Sequence, residues 1–215
     1  MSETHLLTER YEDQLKVWPQ QGKHILAQYD EASIVVYQAY RPAIGHFAAR
    51  RGYFGGGFSL ERMSWVKPNF LWMMYRSGWA QKEHQEVVLA VRLKRAAFDE
   101  ILAQAVHSTY KEALYGSHEA WKQALETSHV RLQWDPDHDP RGAKLERRAI
   151  QLGLRGPVLA QYAREWILDI EDISQFVREQ HRYVESGTLD QLIMPAERVY
   201  PVVDSHIAAR LGMTM

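Results

Sequence analysis

Arg62, Lys67 and Arg76 all fall within RMSWVKPNFLWMMYRSGWAQK, residues 62–82, which holds four cations, three tryptophans and no acid. The whole chain has a formal net charge of −1, so this segregation of sign concentrates positive potential locally and makes an anion the natural ligand. Upstream, Gly55-Gly56-Gly57 leaves backbone N–H groups free just before Ser59, where a short helix is expected to begin. A glycine loop feeding a helix N-terminus beside guanidinium groups suits phosphate. The expectation is a phosphate site made by Arg62, Lys67 and Arg76, with Tyr40 or Tyr75 stacking a base or ribose. The competing reading is packing, because Phe70, Met73 and Met74 recur at the i, i+3, i+4 spacing of a buried helix face.

A second basic run, Arg141, Lys144, Arg147, Arg148 and Arg155 against the single acid Glu146, follows Gln133-Trp134-Asp135. If strands at 129–134 and 148–153 pair, Gln133 and Gln151 project polar ends toward one edge of a sheet, with Arg148 close by, and clefts form at such edges. Glu86 and Asp135 are the acid/base candidates. Asp135, Asp137, Asp139 and Glu146 mimic a calcium loop, but Pro140 stands where that loop needs glycine. Aspartates capping turn amides are the better reading, and no metal is expected. The chain has no Walker A, GxSxG, HExxH or GxGxxG pattern.

Several classes are excluded by composition. The absence of cysteine removes disulfides, thiolate metal sites and cysteine nucleophiles. Acids occupy the N-terminus where a signal peptide needs a basic start, and no apolar run approaches a membrane span, so a soluble cytoplasmic protein without membrane association is expected. At 215 residues with 46% hydrophobic content, one domain over 1–215 is expected, residues 1–19 being an N-terminal extension. The balance of 26 Lys+Arg against 27 Asp+Glu favours a small or end-bound anionic ligand over a tracked nucleic acid.

Short Pro and Gly punctuation divides the chain into periodic segments. Strands are expected at 33–40, 87–93, 129–134, 148–153 and 166–170. Helices are expected at 42–51, 69–76, 96–106, 117–127, 156–165, 172–186 and 203–211. The fold class is α+β, a mixed or antiparallel sheet of about five or more strands with packed helices.

The strings VYQAYRPAI, RMSWVKPNFLWMMYRSGWAQK, QEVVLAVRL, VRLQWDPDHD, RRAIQLGL and WILDIEDIS resemble the successive signatures of the family catalogued as domain of unknown function 4291, over about residues 20–212. That resemblance implies one intact domain and supplies no mechanism. The order of elements also resembles ADP-ribosyltransferase-type folds, which bind NAD between a first-strand His or Arg, an aromatic and a late-strand Glu. This chain departs from that pattern at two points: Gln38 stands where the His or Arg would be, and Gln151, not a Glu, is the polar residue on the late strand. What this implies is a nucleotide- or NAD-utilising transferase-like enzyme, or one acting on nucleic-acid ends, with NAD or another nucleotide as cofactor. An RNA- or DNA-binding module and a non-catalytic partner-binding domain are the alternatives.

Overall fold

A computed structural model describes residues 6–214. Strand β1 (Thr8–Arg10), helix α1 (Tyr11–Leu15) and the short strands β2 (Gly22–Lys23) and β3 (Leu26–Ala27) precede β4 (Ser33–Tyr40). Then come α2 (Pro42–Arg51), β5 (Ser64–Val66), α3 (Phe70–Ser77), β6 (Val87–Lys94), α4 (Arg95–Gln104) and β7 (Ala105–His107). The second half holds α5 (Glu112–Tyr115), α6 (His118–Thr127), β8 (Val130–His138), β9 (Lys144–Leu154), α7 (Gly156–Arg164) and β10 (Ile167–Asp172). Helix α8 (Ser174–Ser186), β11 (Ile193–Pro195), β12 (Arg198–Val199) and α9 (Ser205–Leu211) complete the chain.

The runs IVVY in β4 and VVLAV in β6 are apolar at consecutive positions, as expected of strands covered on both faces. They pair antiparallel from Ser33↔Lys94 to Tyr40↔Val87, and β10 flanks β6 on the other side. Ile34, Val36, Leu89 and Val91 enter one core, whereas Val35, Tyr37, Val88 and Ala90 enter a second. This sheet therefore divides the interior in two. The other large sheet runs β2-β9-β8-β7, with β5 pairing the C-terminal half of β9 through Ser64↔Leu154 and Val66↔Leu152. Reciprocal backbone bonds between Tyr37 and Lys67, 2.7 and 3.2 Å, join the two sheets just after β5. The chain is α+β and forms a single domain.

Three sequence expectations change. No helix starts at Ser59: residues 59–63 bend, and the aromatic and β-branched Trp65-Val66 pair with β9 instead, because the open ladder there outweighs one weak cap from Ser59 Oγ to Glu61 N at 3.3 Å. The strands at 129–134 and 148–153 do pair, but they reach to His138 and back to Lys144, so Asp135–His138 is ladder rather than turn. The turn lies at Asp139, whose Oδ1 accepts from the amides of Arg141 and Ala143. Residues 6–18, expected as an extension, supply Leu6, Tyr11 and Trp18 to the second core, and β1 pairs with β11.

Candidate functional site

Tyr40 ends β4 and Arg41 is the N-cap of α2, with Pro42 fixing the first turn. The glycine loop folds back over this helix start. Gly56 has φ +60°, and a Cβ on Gly55 would lie 2.9 Å from the Phe47 ring, so side chains are excluded there. The loop closes over a cavity of about 510 Å³ lined by Tyr40, Arg41, Gly57, Ser59, Arg62 and His84, among others.

A chain of neutral polar groups runs into the interior from Tyr40 and Ser64, which line this cavity. Tyr40 Oη lies 3.0 Å from Ser64 Oγ, and Gln38 Nε2 donates to Tyr40 Oη at 2.8 Å and to Trp65 O at 3.3 Å. Tyr162 Oη donates to Gln38 Oε1 at 2.5 Å. Burial pushes both tyrosine hydroxyls well above their ordinary range, so the chain stays uncharged near neutrality. Arg41 and Arg62 line the cavity, their guanidinium groups making no hydrogen bond or ion pair among the described residues, and no carboxylate lines it. His84 at the rim lies 3.5 Å from the exposed Glu83.

A second polar cluster lies on the other face of β5. Side chains alternate along a strand, and Val130, Leu132, Ile150 and Leu152 point into the core. Gln133, Asp135 and Gln151 therefore share the opposite face, where Gln151 Nε2 donates to Gln133 Oε1 at 2.8 Å and to Asp135 Oδ2 at 2.7 Å. Lys67 follows Val66, the partner of Leu152, and so turns to that same face. Only 6% of Lys67 is exposed, and its amine makes no hydrogen bond or ion pair among the described residues. Burial first, then the neighbouring Arg76 cation, lower its pKa to about 8, with Asp135 opposing.

Helix α3 covers this face. Asn69 Oδ1 accepts from Trp72 N at 2.7 Å to start the helix, and Gly78, at φ +57°, ends it. The Glu197 carboxylate reinforces that start, accepting from Phe70 N at 2.6 Å and Asn69 Nδ2 at 3.0 Å. Tyr75 stacks on His138 with centroids 3.5 Å apart, Trp72 lies 5.3 Å from the same imidazole, and the Arg76 guanidinium is 5.9 Å from the Trp72 ring. His138 and Trp72 Nε1 are buried without hydrogen-bond partners, and burial holds the imidazole below its usual range.

The residues singled out from sequence therefore fall into separate groups. Arg62 and Tyr40 line the loop cavity, and Gln38 lies buried behind Tyr40. Lys67, Arg76, Tyr75, Gln133, Asp135 and Gln151 gather between α3 and the sheet, so the expected trio of cations is divided between two faces. Arg148 joins Gln133 and Asp135 in lining a third cavity of about 300 Å³, with Lys23, His107 and Lys111. Glu86 stands apart, beside His46, Asp172 and Arg178 in a cavity of about 480 Å³, its Oε1 accepting from His84 N at 2.9 Å. The three loop aspartates are engaged separately. Asp135 accepts from Gln151, Asp137 Oδ2 pairs with buried Arg147 at 2.7–2.8 Å, and Asp139 caps the turn.

Sequence reasoning missed Arg41 and Glu197. Arg41 carried a signal, a cation directly before a helix-opening proline. Glu197 carried none, because its role depends on a residue 127 positions away.

Among the described residues no helix is long and apolar enough to cross a membrane. No curated protein matches the chain. The sequence profile of the family described as a domain of unknown function (DUF4291) matches residues 24–200, most of the sequence and all of the strands and helices that frame both polar clusters, and the chain belongs to that family.

Proposed function

We propose that the protein is a transferase-like enzyme that binds a nucleotide-type ligand by its phosphate beneath the glycine loop. The observation that supports this is the pair of unpaired guanidiniums, Arg41 and Arg62, on a cavity of about 510 Å³ with no lining carboxylate. Guanidiniums match the fork geometry of phosphate oxygens, two of them line this one cavity, and the loop backbone adds donors. Tyr40 and Phe58 offer aromatic surface for a ribose or base. Tyr40, held from behind by Gln38 and Tyr162, supplies an uncharged hydrogen-bonding group that orients a sugar hydroxyl. The likeness in element order to ADP-ribosyltransferase-type folds places NAD first among the nucleotides to try, and the near-neutral charge balance favours such a ligand over a nucleic-acid polymer.

Thermal melting with NAD, ADP-ribose, ATP, GTP and nucleoside monophosphates tests this. A ligand at about 100 times its Kd stabilises by roughly 2.7 kcal/mol, which for a chain of this size is a rise of about 5–10 °C. Arg41→Ala and Arg62→Ala should each remove most of that rise and leave the unliganded Tm within about 1 °C, since exposed guanidiniums contribute little to folding. A panel with no shift, or a shift that survives both substitutions, contradicts the proposal. Submicromolar, steeply salt-dependent binding of single-stranded RNA would favour a nucleic-acid module instead.

A further inference from the structure

The Lys67 cluster is separate from the loop cavity, and its chemistry differs. Lys67 is fixed by its backbone bonds to Tyr37, only 6% of it is exposed, and its amine has no partner among the described residues. A buried lysine without an ion pair is a poor structural device, because burial penalises its charge and Asp135 offsets only part of that penalty. Such an amine placed beside a second cation is the arrangement that activates lysine as a nucleophile. The charged groups that act on it are Arg76 from α3 and Asp135 from β8, and Asp135 is oriented by the neutral Gln151 from β9.

We propose that Lys67 forms an imine with a small carbonyl compound that carries an anionic group, such as an aldehyde acid or 2-oxo acid, the anion being held by Arg76. The lone pair of Lys67 Nζ forms the C–N bond as the carbonyl π electrons move onto oxygen. Asp135 carries one proton from the adduct nitrogen to the alkoxide, giving the carbinolamine, and then the second from nitrogen to the hydroxyl, so that water leaves and the C=N bond forms. No oxidant or metal is needed. Asp135 and Gln133 also line the cavity of about 300 Å³, so this cluster meets a cavity on its Asp135 side. The low pKa of Lys67, about 8, supports the assignment by leaving an appreciable neutral fraction near pH 8.

Glyoxylate with cyanoborohydride, read out by peptide mass spectrometry of the folded full-length chain, tests the proposal. Lys67 should be labelled at least about tenfold faster than the exposed Lys82 and Lys122, with a rate that rises through pH about 8. Arg76→Gln should reduce the preference for glyoxylate over uncharged acetaldehyde, and Asp135→Asn should slow labelling of Lys67 without slowing that of Lys82. Both variants are checked by melting curve, and if either fails to fold the wild-type ratio of glyoxylate to acetaldehyde labelling at Lys67 decides alone. Labelling of Lys67 no faster than of Lys82, labelling only after denaturation, or equal labelling by both aldehydes would overturn the proposal.

Discussion

Burial removes water from Lys67 while Arg76 stands close by, so the folded chain holds this amine at a pKa of about 8 against 10.5 for the free side chain. The folded value lies below the unfolded one, so carrying the charge destabilises the fold at every pH below about 8. That penalty fades as pH rises toward 10.5, where the amine is neutral in both states. Lys67→Met should therefore stabilise the protein at pH 7 by roughly 3–4 kcal/mol, at about 1.4 kcal/mol per pKa unit, and the gain should shrink toward zero near pH 10.5. Chemical denaturation at pH 7 and at pH 10 measures this, and a destabilised variant at pH 7 would show that Lys67 has a structural partner. Much of this cluster was legible in the sequence, since pairing of two strands with glutamines at matching positions brings Gln133, Gln151 and Asp135 together. The separation of Lys67 from Arg62 was not. It follows from β5 being a strand, which turns alternate residues to opposite faces, where a helix from Ser59 was expected.

Helix α3 takes its apolar face from Phe70, Met73 and Met74 and its ends from Asn69 and Gly78, all readable in the sequence, but its start also depends on Glu197. Burial raises the Glu197 pKa well above 4.5, Asp137 adding to the rise. A raised folded pKa means that this carboxyl stabilises the fold fully below pH 4.5 and loses that contribution as pH rises through its folded value. Glu197→Ala leaves two buried donors, Phe70 N and Asn69 Nδ2, without an acceptor and should cost roughly 2–5 kcal/mol in urea denaturation. Glu197→Gln keeps one acceptor, should cost less, and should flatten the loss of stability above pH 4.5. A change within about 0.5 kcal/mol for the alanine variant would show that water replaces the carboxylate. The long elements were legible because their periodicity spans several turns or ladder pairs. Strands of two or three residues are too short to carry a period: β2 and β7 exist because the longer β9 and β8 offer them an edge, and β3 and β12 because each finds the other.

At the scale of the whole molecule, a three-stranded sheet parts two cores, and β5 carries different chemistry on its two faces. The loop cavity with Arg41 and Arg62 lies toward its Ser64 end, and the buried amine lies just past its Val66 end. The fold class followed from the alternation of strand and helix signals, whereas the division into two polar clusters depends on register, which no single segment encodes. A crystal structure of the protein soaked with ADP tests the central claim most directly. The account predicts phosphate density within hydrogen-bond distance, about 2.7–3.2 Å, of both the Arg41 and Arg62 guanidiniums and close to the Gly55–Gly57 backbone. A diphosphate seated elsewhere, or a loop cavity that stays empty at saturating ADP while both guanidiniums pair with protein carboxylates, would contradict it.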